Sequence, residues 1–187
     1  MELHWGPKCQ IYATPVAADE VCVALISHTP DLRLDDALGS FPELVARLRA
    51  AEPSSAQRGA ISSTRKLRRI YQDRVCLVGD ASGAVDAITG EGLCLSFSQA
   101  RLLAECMVGN DLERYQRQHR SLATRPMLMA RLMLMLDSKN SFRQIVMRAF
   151  ISDPRLFARM LAMHVGASSP INLAGAGLSL GWRMLRA

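Results

Sequence analysis

The feature that most constrains this chain is a short apolar run that ends in Gly-Asp and leads through a glycine-rich loop into a helical pattern. The run, Arg74 to Asp80 (RVCLVGD), lacks the alternation of polar and apolar residues typical of a half-exposed strand. It therefore predicts a strand buried on both faces, as in a parallel sheet covered by helices. The loop is ASGAVDAITGEG, and the helix is predicted over Leu93 to Val108, before the stop signal Gly109-Asn110.

A strand, loop and helix in this order can form a ligand site. Asp80 is predicted at the carboxyl end of the strand, where ligands of open α/β sheets bind, and its carboxylate can accept hydrogen bonds from ligand hydroxyls. Gly90 and Gly92 allow close approach to the backbone. The first N–H groups of the following helix have no intrahelical partner and favour a negative group. Together they predict a site for a hydroxylated, partly anionic cofactor.

This segment resembles a known cofactor motif. RVCLVGDASGAVDAITGEGLCLSFSQARLLAE is similar to the second FAD-binding motif of the flavoprotein monooxygenase and geranylgeranyl reductase superfamily, in which Gly-Asp-Ala ends a strand and a Pro-containing loop leads to Gly-x-Gly and a helix. The TGEG at 89–92 matches the geranylgeranyl-reductase-like branch, whereas Ala87 stands where that branch often has proline. The resemblance is strong over 74–105, loose over 1–73 and weak over the remainder.

The resemblance implies a cofactor and the residues that hold it. Asp80 would bind the ribityl hydroxyls of FAD, and the backbone N–H groups of 90–93 would lie near the pyrimidine edge of the flavin. NADH or NADPH is the implied reductant, and no catalytic residue or metal ligand is assigned. The implied cofactor-binding residues are Gly79, Asp80, Ala81, Thr89, Gly90, Glu91, Gly92 and Leu93.

One expected element of such flavoproteins is not found in the sequence. They begin with a strand, a GxGxxG turn and a helix that bind the ADP half of FAD. No GxGxxG occurs here, and the nearest pattern, Gly175-Ala176-Gly177 with Gly181, has the wrong spacing. We therefore expect the C-terminal portion of a flavoprotein, completed by a missing N-terminal half or by a homo-oligomer.

The flanking sequence predicts an α+β fold. Two β-rich runs, Gln10 to Val16 and Glu20 to Ile26, predict a hairpin, and Phe41 to Ala51 predicts a helix with Leu44, Val45, Leu48 and Ala51 on one face. The resulting fold is a partial FAD/NAD(P)-binding flavoprotein fold that lacks the N-terminal unit. Its predicted segments are a partial substrate-domain sheet and helix at 1–73, an FAD-binding segment at 74–110 and a helical region at 111–187. Within the last, helices are predicted over Asp111 to Arg120, Pro126 to Leu136, Ser141 to Ile151 and Arg155 to Val165.

Charge and composition indicate which classes of partner the chain can bind. Residues 1–110 contain 11 basic and 13 acidic side chains, whereas residues 111–187 contain 12 basic and 4 acidic ones. This basic half could attract phosphate or an anionic membrane, but aromatic residues form only 5% of the chain and no nucleic-acid-binding motif occurs, so we expect no nucleic acid partner. Five cysteines without metal-ligand spacing fit the reducing cytoplasm. Met160 to Trp182, free of Asp, Glu, Lys and Arg, fits a buried or membrane-surface segment better than a spanning helix.

Two further patterns bear on the interior. The methionine-rich stretch from Met127 to Met135 is expected to lie mainly in the core, with an adaptable substrate wall as the alternative. His119, between basic neighbours, is expected at a solvated helix position.

The sequence is compatible with two functions. The first is an FAD-dependent oxidoreductase, a monooxygenase or a geranylgeranyl-reductase-like enzyme, acting on a small-molecule or lipid-like substrate. The second is a non-enzymatic fragment whose basic helical half binds a membrane surface or a partner chain. Location in the cytoplasm, with peripheral membrane contact, fits both.

Overall fold

The structure, a computed structural model, describes residues 1–166, and its internal contacts divide the chain between Ala60 and Ile61 into two units. Strands and helices both occur, in agreement with the α+β class. The strands are β1 (Glu2–Gly6), β2 (Cys9–Pro15), β3 (Val21–Ser27), β4 (Arg65–Lys66), β5 (Tyr71–Gln72), β6 (Val75–Cys76) and β7 (Gly83–Ala84). The helices are α1 (Leu34–Leu38), α2 (Pro42–Leu48), α3 (Gly92–Val108), α4 (Leu112–Leu122), α5 (Thr124–Ser138), α6 (Asn140–Ser152) and α7 (Pro154–His164).

The first unit contains an antiparallel sheet in the order β1-β2-β3. The predicted hairpin is confirmed, because β2 pairs with β3 from Cys9 opposite Ser27 to Pro15 opposite Val21. β1, which the sequence analysis did not predict, pairs with the other side of β2. Alternate residues of the central strand point into one core, which consists of Cys9, Ile11, Ala13, Ala37, Phe41 and Leu44.

The helix predicted over 41–51 is shorter than expected. It covers Pro42–Leu48, with proline in the first turn, where its missing N–H costs no hydrogen bond. Leu44 is buried, but Val45, predicted on the same face, is 40% exposed. A helix of seven residues makes about two turns, so only a narrow face reaches the sheet.

The predicted buried strand at 74–80 is wrong. Only Val75–Cys76 is a strand, and it pairs antiparallel with Tyr71–Gln72 in a two-stranded ribbon. Val75 is 64% exposed, so the run is not buried on both faces. Asp73, with a φ of 51°, reverses the chain just before the run, and a local partner thereby takes the hydrogen bonds that a parallel neighbour would have taken.

The helical pattern that follows is confirmed. α3 begins one residue before the predicted start and ends at the predicted Val108, and α4 to α7 coincide closely with the four predicted helices. Two clusters form the core of this second unit. One joins Ile70, Leu102, Cys106 and Tyr115, and the other joins Leu136, Val146, Phe150 and Leu156.

Three further predictions concern the methionine-rich stretch, the segment boundary after residue 73 and the apolar segment near the C-terminus. The methionine-rich stretch is only partly core, because Met129 is buried while Met135 is 38% exposed. The segment boundary predicted after residue 73 falls inside the second unit, where the β5–β6 ribbon crosses it. Most of the segment Met160 to Trp182 lies outside the described residues, and among residues 1–166 no helix has both the length and the apolar character needed to cross a membrane.

Candidate functional site

The Gly-Asp of the motif forms a tight turn that rests on α3. Gly79–Ser82 is a single 3₁₀ turn, and Gly79 begins it with a φ of 62°, a conformation that glycine adopts without strain. The Gly79 N–H donates to Oε1 of Gln99 at 2.8 Å. A Cβ at Gly79 would lie only 3.0 Å from Oγ of Ser96, so a larger residue would have to displace that side chain as well as adopt the positive φ. The turn therefore lies beside the first two turns of α3.

Asp80 occupies an exposed position on this turn. Its carbonyl oxygen accepts a hydrogen bond from the Arg65 guanidinium at 2.6 Å. Its carboxylate has no hydrogen bond or ion pair within the part of the chain that the structure describes. A ligand can thus reach the carboxylate without displacing a protein partner.

The loop from Gly83 to α3 is held by hydrogen bonds to the segment before β4. The Asp86 N–H donates to Thr64 Oγ1 at 3.2 Å, and the Ala87 N–H donates to Ser62 Oγ at 2.9 Å. Asp86 also caps the next turn by accepting from the Ile88 N–H. Proline at 87 would have no N–H for Ser62, so this hydrogen bond requires a residue other than proline at that position.

The amino end of α3 is open. Gly90 has a φ of 68°, and no side chain caps the helix at Glu91. A Cβ built at Gly90 or Gly92 would meet no atom of residues 1–166 within 4 Å, and Leu93 is 74% exposed. The first N–H groups of the helix therefore point into accessible space with the positive end of the helix dipole.

The side chains of Thr89 and Glu91 are shielded from solvent, unlike the amino end of α3. Oε2 of Glu91 lies 3.7 Å from Nδ1 of His164, and both side chains are largely shielded from solvent. Oγ1 of Thr89 is buried and has no hydrogen-bond partner among residues 1–166. Glu91 can contribute its backbone N–H to a ligand, as the resemblance implies, while its carboxylate faces α7.

A buried polar network that the sequence analysis missed supports the turn. Ser82 Oγ lies 2.7 Å from Nε2 of His119 and donates to the Gly79 carbonyl at 2.7 Å, and Ser82, Gln99 and His119 are all at least 93% buried. Tyr115 donates to the Leu77 carbonyl at 2.7 Å. The expectation that His119 is solvated is therefore wrong.

Burial also sets the charge states in this network. Desolvation, with a smaller contribution from the Arg120 charge, lowers the pKa of His119, so the imidazole is neutral near pH 7. Desolvation raises the pKa of Tyr115 to about 12, which keeps the phenol protonated. The one sequence signal for this network was the position of Gln99, which shares its helix face with Leu95, Leu102 and Cys106.

The residues present fit the flavin end of FAD. The open carboxylate of Asp80, the uncapped α3 terminus and the space that the described residues leave beside Gly90 and Gly92 would accommodate ribityl hydroxyls and an electron-rich ring edge. Among residues 1–166 no cluster of three potential metal-ligating side chains occurs.

Comparisons with known proteins give no relative: no family model, no curated protein and no solved structure matches the chain.

Proposed function

We propose that this chain is the flavin-contacting part of an FAD-dependent oxidoreductase of the monooxygenase or geranylgeranyl-reductase-like type. The observation that carries the proposal is the packing of the Gly79–Ser82 turn on α3. This packing brings the free carboxylate of Asp80 and the open amino end of one helix into the same neighbourhood. A flavin with a polyhydroxy chain needs both a hydroxyl acceptor and a positive dipole end.

Each group has a defined part in the proposal. Asp80 accepts hydrogen bonds from the ribityl chain, and Gly79 and Ala81 leave room for the cofactor to pass. The N–H groups at the start of α3 stabilise negative charge on the reduced ring. The chemistry that FAD supplies is two-electron transfer from NADH or NADPH, leading to oxygen activation or to reduction of a carbon double bond in a small-molecule or lipid-like substrate.

The proposal assigns the ADP half of FAD to a partner that carries a strand, a GxGxxG turn and a helix, since the sequence contains no such unit. Exposed apolar side chains near the site support a covering partner: Val75, Leu93 and Phe97 are 64%, 74% and 70% exposed. All five cysteines are free thiols, which supports a cytoplasmic location.

Titration of the purified chain with riboflavin, FMN and FAD, followed by flavin fluorescence, tests this function. Because the proposed contacts involve only the ring and the ribityl chain, we expect all three to bind with affinities within about threefold of one another. Asp80→Asn should weaken each of them about tenfold through loss of a charged hydrogen-bond acceptor.

Asp73→Asn is the matched control, because Asp73 is also exposed and asparagine tolerates its positive φ. It should leave flavin affinity unchanged. A folded chain that binds no flavin, or an Asp80→Asn variant that binds as tightly as the parent, would refute the proposed function. The non-enzymatic alternative predicts the first of these results.

A further inference from the structure

A second site lies in a cavity of about 450 Å³ within the unit that begins at Ile61. Its walls come from the segment around β4, from β7, and from α3, α4 and the start of α5. This volume is within the usual range for pockets that hold small organic molecules. Among the lining residues that belong to the described part of the chain, none is acidic and four are basic: Arg65, Lys66, Arg68 and Arg120.

The four basic side chains form an electropositive rim. None of them forms an ion pair with a carboxylate in the described part of the chain. Two are positioned by main-chain carbonyls: Arg65 donates to the Asp80 oxygen at 2.6 Å, and Arg120 donates to the Arg68 oxygen at 3.0 Å. Their remaining N–H groups are available to a ligand. Four like charges around one opening attract an anion and repel one another when none is bound.

The interior of the cavity has two kinds of surface. Ser82, Gln99 and His119 supply a buried polar patch, held in place by the hydrogen bonds that support the Gly79–Ser82 turn. Most other lining residues are apolar: Leu67, Ala84, Val85, Leu95, Ala123 and Met127. Met127 is flexible enough to repack around ligands of different shape.

We propose that this cavity binds an amphiphilic organic anion. Its apolar body lies against the Leu95, Val85 and Met127 wall, and its phosphate or carboxylate head is bound by the basic rim. Arginine is suited to this role because its planar guanidinium can form two parallel hydrogen bonds to either head group. The inference rests on the cavity alone and does not require the proposed flavin function.

Isothermal titration of the FAD-free chain with octyl phosphate tests the proposal. Octyl phosphate has both an apolar chain and an anionic head, whereas inorganic phosphate and octan-1-ol each have only one of these parts. We expect octyl phosphate to bind at least about tenfold more tightly than either. Octanoate serves as a second anion, and the tighter of octanoate and octyl phosphate identifies the head group.

The double variant Lys66→Gln/Arg68→Gln removes two charges from the rim. Both side chains are exposed, so the fold should persist, and circular dichroism checks this. We expect octyl phosphate affinity to fall at least about tenfold. The matched control is Arg69→Gln/Arg74→Gln, which removes two exposed charges of the same unit that do not line the cavity. It should change affinity less than about twofold.

Three results would overturn the inference. The first is that octan-1-ol binds as tightly as octyl phosphate, which would show that the charges contribute nothing. The second is an equal loss of affinity in the two double variants, which would indicate unspecific attraction by net charge. The third is a folded parent protein that shows no heat of binding with octyl phosphate up to about 1 mM.

Discussion

The two units of this protein differ in how completely they cover their own apolar residues. In the first unit, the central strand β2 packs Ile11 and Ala13 under Phe41 and Leu44, and all four are buried. In the second unit, α3 buries Leu102 and Cys106 on one side and leaves an apolar stripe exposed on the other. Leu93, Phe97, Met107 and Val108 form that stripe with exposures of 74%, 70%, 63% and 92%.

Apolar residues can form the core of their own unit or remain on its surface, and the two units differ in this respect. Apolar residues in the first unit account for its own core, as the hydrophobic effect requires of a small folded unit. The residues of the exposed stripe on α3 belong to neither of the two core clusters of the second unit. Large contiguous patches of exposed apolar surface often mark interaction sites. The stripe on α3 therefore agrees with the partner proposed for the flavin site.

We expect the largest loss of stability when a side chain in the buried core of the first unit is truncated. Ile11 is fully buried at the centre of the sheet, so Ile11→Ala should reduce the free energy of unfolding by about 2–5 kcal/mol. Urea denaturation measures the loss, and hydrogen exchange of peptides from β1 to β3 locates it. Val45→Ala, on the exposed side of α2, should change stability by less than about 0.5 kcal/mol. Similar losses in both variants would contradict the assignment of the core.

A smaller effect is expected from the polar interior of the second unit. Gln99→Leu retains most of the side-chain volume but leaves the Gly79 N–H without its acceptor, which should cost about 1–3 kcal/mol. Gln118→Leu, at an exposed position of α4, provides the comparison and should be nearly neutral. If Gln99→Leu is also neutral, the network does not support the Gly79–Ser82 turn. Urea denaturation of the two variants measures the change in the free energy of unfolding.

The periodic spacing of apolar residues correctly predicted the strands and helices that pack one face against the rest of their own unit. The β2–β3 hairpin and helices α3 to α7 were found where the alternating and helical patterns placed them. The same reasoning failed at Arg74 to Asp80, because a short apolar run has no period that separates a buried parallel strand from a locally paired ribbon. β1 was missed since its sequence, ELHWG, contains a charged residue, a histidine and a glycine.

The candidate site was predictable only as a set of backbone positions. Spacing in the sequence indicated a glycine-rich loop around Gly90 and a helix start near Leu93, and the structure has both. The Gly79–Ser82 turn lies where the sequence predicted the end of a strand. The buried partners of that turn could not be predicted. His119 follows Gln116 and Gln118 in a very polar helix, and only the packing of α4 on α3 determines which of these side chains is buried.

The smallest effect on stability is expected at the surface of the first unit, where Glu2 of β1 pairs with Arg47 of α2. The guanidinium donates to both carboxylate oxygens, at 2.6 and 2.9 Å, and His4 lies 3.1 Å away. The hydrogen bonds from Arg47, followed by that from His4, lower the pKa of Glu2 from 4.5 to about 2. Because the folded-state pKa is the lower one, the pair contributes stability above pH 4.5 and loses it as the pH falls towards 2.

Both side chains are exposed, so water and salt screen this pair, and Glu2→Gln should hardly change the unfolding midpoint at neutral pH. The pKa itself is the sensitive observable. In a carboxyl-detected NMR titration, Arg47→Gln should return the pKa of Glu2 most of the way to its ordinary value, because the larger of its two hydrogen-bond contributions is gone. An ordinary pKa for Glu2 in the parent protein would show that β1 and α2 are not joined by this pair. The packing of Phe41 and Leu44 on the sheet would then be what holds α2 in place.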